Sequence, residues 1–128
     1  MTDRLDTRRK IVPFAQLVAT LRDDSNGEPW IVVAGLFDPM TSSQARRFET
    51  HAQAKRLAVV VLDQPETLLD AVSRSILVAA LRSVSLVSVA GLETWRHTHF
   101  GCETTAYDES ADRRATAEFV RLIARRMQ

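Results

Sequence analysis

The sequence predicts an α/β fold, a mainly parallel sheet between two layers of helices in the three-layer α/β/α, Rossmann-like arrangement. Three observations predict it. Trp30–Ala34 and Leu57–Leu62 are continuous apolar runs of strand length, the pattern of strands buried on both faces, and Leu86–Ala90, apolar apart from Ser88, reads as a third strand. The segments between them carry helical periodicity instead. Glycine, proline and aspartate punctuate the junctions, so strand and helix alternate along the chain. Two buried strands joined by a helix form a βαβ unit, whose crossover is right-handed.

Taken in order, residues Met1 to Lys10 are charged and aperiodic, and are expected to be a frayed, flexible terminus. Pro13 suits the first turn of a helix whose stripe is Phe14, Leu17, Val18 and Leu21. Asp23-Asp24-Ser25-Asn26-Gly27 closes it with turn chemistry. The first apolar run breaks at Gly35 and Pro39, and Thr41-Ser42-Ser43 offers hydroxyl caps for the next helix. Ala45, Phe48 and Ala52 form its inner stripe, with Arg46, Arg47 and Glu49 outward. Beyond the second run, Leu77, Ala80, Leu81 and Val84 mark a helix from about Ala71. Gly91 to Phe100 reads as short and irregular, and Glu103 to Tyr107 as a candidate strand. A last helix begins near Ala111, with Asp108 and Ser110 as candidate caps and Ala115, Phe119, Leu122 and Ile123 as its stripe. Arg125 and Arg126 suit its negative end.

At 128 residues the chain is one domain with room for a core. A net charge of +1 suggests neither a nucleic-acid nor a membrane surface. No apolar stretch reaches membrane-spanning length, and no signal-peptide core follows the polar first ten residues. The one cysteine, Cys102, excludes an internal disulfide and fits a reducing cytoplasm.

The stretch from Trp30 to Phe48 is where chemistry is expected. A strand, a glycine-containing turn and a helix N-terminus bring backbone N–H groups and the positive helix end together, a geometry that grips phosphate. Within it, Gly35-Leu36-Phe37-Asp38-Pro39-Met40-Thr41-Ser42-Ser43-Gln44 resembles the GCFDLLHxGH opening of the cytidylyltransferase-like nucleotidyltransferases, in particular their sugar-phosphate branch, which includes ADP-heptose synthase. Gly-x-Phe-Asp is kept, while Thr41 and Gln44 stand where that family has its two histidines. The leader Lys10-Ile11-Val12, the second strand and the arginine-led segment Ser73 to Val87 follow in the family's order, so the resemblance covers about residues 10–89. Past Gly91 it ends. The family's lysine-glycine segment has no counterpart, and Thr104-Thr105 is a faint echo of its serine/threonine motif.

The resemblance implies a nucleotide- or phosphate-binding site built from Gly35, Leu36, Phe37, Asp38, Thr41, Gln44 and Arg74, with no catalytic residue retained. In that family the two histidines contact phosphate oxygens and stabilise the transition state. Thr41 and Gln44 can hydrogen-bond phosphate but supply no imidazolium, and losing such a donor costs ~10²–10³ in rate. Read from the residues alone, Thr41 and Ser42 are helix caps or anion contacts. Gly35 permits close approach of a ligand or of a neighbouring helix. Phe37 is core or pocket wall, and Asp38 orients the loop through backbone hydrogen bonds or stabilises the turn. Arg74 is a phosphate contact or a solvated helix-terminal arginine.

His97 and His99 lie near Cys102, but no further ligands have metal-site spacing, so surface or packed histidines are expected. His51 lies too far along its helix to replace the missing pair. No cofactor is implied, Mg²⁺ being required only if transfer is retained. The expected function is thus a shortened nucleotidyltransferase homologue with weak phosphate or nucleotide binding. The alternatives are a non-catalytic interaction module on the same scaffold, and active transfer with substituted residues. A two-fold homodimer is also expected. The resemblance implies it, and Trp95, Phe100 and the additional apolar residues Val120 and Ala124 are candidate interface positions.

Overall fold

Valine-rich runs with no charge inside them cannot face water on either side, and the computed structural model places them in the middle of a sheet. It describes residues 6–23, 27, 29–107, 121–122 and 124–126. The strands are β1 (Trp30–Gly35), β2 (Arg56–Asp63), β3 (Leu86–Gly91) and β4 (Glu103–Ala106). Their order is β3-β2-β1-β4, and every pair is parallel. The three apolar runs are therefore neighbours as expected, with β1 and β2 both interior. The candidate strand at Glu103 is real and closes the far side of β1.

Alternation along each strand divides the core into two layers. Val32, Ala34, Ala58 and Val60 face α1 (Phe14–Arg22) through Leu17 and Leu21, together with Trp95 of α4 (Leu92–His97) and Phe100. Ile31, Val33, Leu57, Val59 and Val61 face Phe48 of α2 (Ser42–Ala52) and Val78 and Ala79 of α3 (Ala71–Ala79). This is the three-layer α/β/α fold predicted above.

Four expectations change. Thr7–Lys10 is a 3-10 turn capped by Asp6, and Lys10 Nζ donates to the Leu81 carbonyl at 2.9 Å, so this part of the leader is anchored. Ile11 then bridges to Val87 beside β3. The region after Gly91 is helical rather than irregular, because Trp95 packs on Phe100 at 5.1 Å between ring centroids and holds a six-residue helix that has no sequence stripe of its own. α3 ends at Ala79, and its inward residues are Arg74, Ser75, Val78 and Ala79; Leu77 and Ala80 point outward. Phe100 is buried and Trp95 half-buried against the chain's own core, which removes them from the expected dimer interface.

The turn at Asp24–Asn26, the caps Asp108 and Ser110, and the stripe residues Ala115, Phe119, Val120 and Ile123 lie outside the described residues. Leu122, Ala124, Arg125 and Arg126 are helical and exposed. Among the described residues no helix is long and apolar enough to cross a membrane.

Candidate functional site

In a parallel sheet, ligand crevices form at the C-terminal ends of strands where the winding reverses. Here the chain winds from β1 through β2 to β3 and then returns to place β4 on the other side of β1, so the reversal falls between β1 and β4. The Gly35–Gln44 stretch begins at that point.

Gly35 is the last residue of β1, buried and paired with Val61. Leu36 is buried beside it. Phe37 turns the chain at φ 51°, a left-handed conformation that costs an L-residue roughly 1–2 kcal/mol. Its ring offsets the cost: wholly buried, it meets Phe48 edge-on at 5.5 Å and Tyr107 at 6.0 Å. Phe37 is therefore core. The following Asp38–Pro39 peptide is cis.

Asp38 joins two turns. Its carboxylate accepts from the backbone N–H groups of Leu68 at 2.6 Å and Leu69 at 2.8 Å, so the turn after β1 holds the one after β2. Thr41 and Gln44 form a reciprocal capping box. The Thr41 hydroxyl accepts from the Gln44 N–H at 3.2 Å, and Gln44 Oε1 accepts from the Thr41 N–H at 3.0 Å. Thr41 and Gln44 thus start α2 by binding each other's backbone, and Gln44 is buried while doing so.

Arg74 is the most unusual group. It lies one turn into α3 and is 0 % exposed, contrary to its reading as a solvated helix-terminal arginine. Its Nη1 donates to the carbonyls of Leu36 at 2.8 Å and Leu62 at 2.9 Å, and its Nε to that of Leu69 at 3.1 Å. One guanidinium thus ties the ends of β1 and β2 to the start of α3. Among the described residues its Nη2 has no hydrogen-bond partner and no carboxylate makes an ion pair with the guanidinium. A buried charge without a counter-ion is costly unless something satisfies it. Nearby, Asp70 caps α3, accepting from the Ser73 N–H at 2.6 Å. That bond holds its carboxyl below the usual range, with a smaller contribution from the Arg74 charge.

The seven predicted residues therefore converge on one edge, Arg74 touching Leu36 and Asp38 reaching the loop that Arg74 also grips. Sequence reasoning missed Tyr107. Its N–H donates to the Ala34 carbonyl, its ring packs on Phe37 and Phe48, and Arg47 lies 5.3 Å above it, so it lines the β1/β4 reversal. A lone aromatic directly after a strand was the available signal.

A cleft of about 550 Å³ opens at the opposite end of the sheet, among Glu49, Lys55, Arg56, Arg82 and Ser83. Lys55 is paired with Glu103, and Arg56 stacks 4.2 Å over Trp30. These cations sit near the C-terminal ends of α2 and α3, where the helix dipole favours positive charge and opposes an anion. His97 ends α4 with Nδ1 2.8 Å from the Glu93 carbonyl, and the His99 carbonyl accepts from the Arg22 guanidinium. Among the described residues no group of three potential metal ligands occurs. Burial pushes the Cys102 thiol up, away from thiolate chemistry.

No protein-family model and no curated protein sequence matches this chain. Its sequence and structure together define a four-stranded, all-parallel, Rossmann-like α/β fold.

Proposed function

We propose that the chain is a nucleotidyltransferase-like domain that keeps weak affinity for phosphate or a nucleotide and has lost efficient nucleotidyl transfer. The observation that carries this reading is the Arg74 guanidinium, a buried positive charge that among the described residues has no ion-pair partner and no acceptor at Nη2, at the C-terminal edge of β1 and β2. A phosphate oxygen reaching Nη2 would supply the missing acceptor and the missing counter-charge in one charge-assisted bond. The α2 N-terminus lies at the same C-terminal edge of the sheet and favours negative charge there.

Loss of transfer follows from the positions of Thr41 and Gln44. Their capping box is local and self-satisfied, so neither presents a cationic donor to a reacting phosphorus, and electrostatic stabilisation of the transition state is the main service such a site performs. Nη2 has no solvent contact in this conformation. Binding therefore requires local opening, which lowers the apparent affinity by the fraction of open molecules.

The test is an amide-shift titration of the full chain with inorganic phosphate, CTP and ATP, alongside pyrophosphate release with sugar phosphates. Saturable, millimolar shifts confined to residues 35–44 and 66–74 are expected, with turnover at background. Unmoved amides at those positions with all three ligands would remove the binding half. Robust turnover abolished by Thr41→Ala or Gln44→Ala would overturn the loss of transfer.

A further inference from the structure

Leu69 serves two charged side chains at once. Its N–H donates to Asp38 Oδ1 at 2.8 Å, and its carbonyl accepts from Arg74 Nε at 3.1 Å, sharing that oxygen with the Thr67 hydroxyl at 2.7 Å. The Leu68 N–H donates to the other Asp38 oxygen at 2.6 Å. Successive backbone N–H groups turned on one carboxylate make an anion-binding concavity, and the anion here comes from the chain itself, 30 and 31 residues away. The cap of α3 is a separate device, since Asp70 accepts from the Ser73 N–H. Arg74 Nη1 in turn holds the carbonyl of Leu36, two residues before Asp38. Asp38, Leu69, Arg74 and Leu36 therefore close a ring of contacts. Its Asp38–Leu68 side lies at the surface, while Arg74 is wholly buried and among the described residues has no acceptor on Nη2.

We infer that Asp38 is an autoinhibitory latch: its carboxylate occupies the Leu68 and Leu69 N–H groups as an internal competitor of phosphate, and an incoming phosphate oxygen must displace it there. The inference rests on the phosphate-binding reading above and adds its regulation. A carboxylate and a phosphate are both acceptors only, so the same two N–H groups hold one or the other. Asp38 also leaves the site half served, because among the described residues it makes no ion pair with Arg74. A phosphate brings three strong acceptor oxygens, enough for the N–H pair and for Nη2 together. Asp38 is the side of the ring that Arg74 does not hold, so its release is the opening that admits a ligand to the buried guanidinium. The sign of the effect is distinctive. Removing the Asp38 charge weakens the fold and strengthens binding, whereas a residue that only braced the two turns would weaken both.

Titration of the full chain with inorganic phosphate at constant ionic strength, followed at the Leu68 and Leu69 amide resonances, tests it in wild type, Asp38→Ala and Asp38→Asn. Asp38→Ala should bind phosphate roughly 10-fold more tightly than wild type, because no closed latch has to open first. Asp38→Asn keeps an acceptor oxygen without the charge and should fall between the two. In Asp38→Ala, phosphate should also slow hydrogen exchange at Leu68 and Leu69 back toward the wild-type rate. Acetate, which returns only the missing carboxylate, should do the same more weakly. Should Asp38→Ala fail to fold, tighter binding by Asp38→Asn than by wild type gives the same reading. Wild-type binding with equal or weaker binding by both variants overturns the latch and leaves the phosphate reading standing. Binding by the variants alone upholds the latch and removes the weak affinity ascribed to the native chain. Unmoved Leu68 and Leu69 amides in all three chains overturn both.

Discussion

Helices α2 and α3 cross the same face of the sheet one after the other, yet their N-termini are secured by different means. α2 begins with a capping box made by two of its own side chains three residues apart. α3 has a local cap in Asp70, but Arg74 also binds it to the preceding turn and, 12 and 38 residues away in sequence, to the ends of two strands. The first device works wherever the helix lies. The second exists only once the sheet has formed and α3 has docked on it. The difference shows why a charged residue can be part of a core: its polar atoms satisfy buried backbone carbonyls at the strand ends.

The comparison is sharpened most by Arg74→Met. Methionine fills much of the volume and removes the buried charge, which returns some desolvation energy. Against that, the Leu36 and Leu62 carbonyls lose this donor at about 1–3 kcal/mol each where left buried and unsatisfied, while the Leu69 carbonyl keeps the Thr67 hydroxyl. A net loss of about 3 kcal/mol in urea unfolding is expected, and Arg74→Lys, with one ammonium in place of a fork, should recover little of it. A loss below about 1 kcal/mol would mean that the guanidinium does not tie the strand ends. Asp38→Ala comes next, leaving the Leu68 and Leu69 N–H groups without their acceptor; about 1–3 kcal/mol is expected, with faster hydrogen exchange confined to residues 66–70.

Thr41→Ala should cost about 1 kcal/mol, the usual loss of an N-cap, and should quicken exchange only in the first turn of α2. The smallest effect is that of Asp70, which is exposed. Its folded pKa lies below the ordinary 3.8, so its contribution is complete above that value and disappears as pH falls through the folded value. The stability difference between wild type and Asp70→Ala should therefore be constant near neutrality and should close below about pH 3.8. A difference that instead grew in acid would reverse the assignment of this carboxylate as an anionic cap.

Much of this architecture was legible in the sequence because buried parallel strands have few alternatives. Val59-Val60-Val61 has no polar neighbour to contradict it, and the stripe of α1 was correct at Leu17 and Leu21. α2 was legible for the same reason, its charges at Arg46, Arg47 and Glu49 marking the outside. α3 misled because Leu77 and Ala80 fit an apolar stripe as well as Val78 and Ala79 do, and a helix apolar on all sides does not indicate which side is inward. Arg74 was singled out by its position, but its burial was hidden, since its partners Leu36 and Leu62 are backbone acceptors that any residue supplies. α4 was missed because six residues from Leu92 to His97 are held by Trp95 on Phe100, a contact invisible to local periodicity.

The position of β4 has a consequence for how the chain is made. β1 is entirely apolar, and one of its edges is complemented by β4, whose pairing joins Ile31 to Glu103. During synthesis from the N-terminus, β2 can pair with β1 and β3 with β2 while β4 has yet to be added. Until then the other edge of Trp30–Gly35 is an unpaired, hydrophobic template of the kind on which nascent chains misassociate. Lys55, which pairs with Glu103 of β4, precedes it in the chain and awaits it. A ribosome-bound chain stopped before residue 103 should therefore engage holding chaperones that release it once β4 is complete.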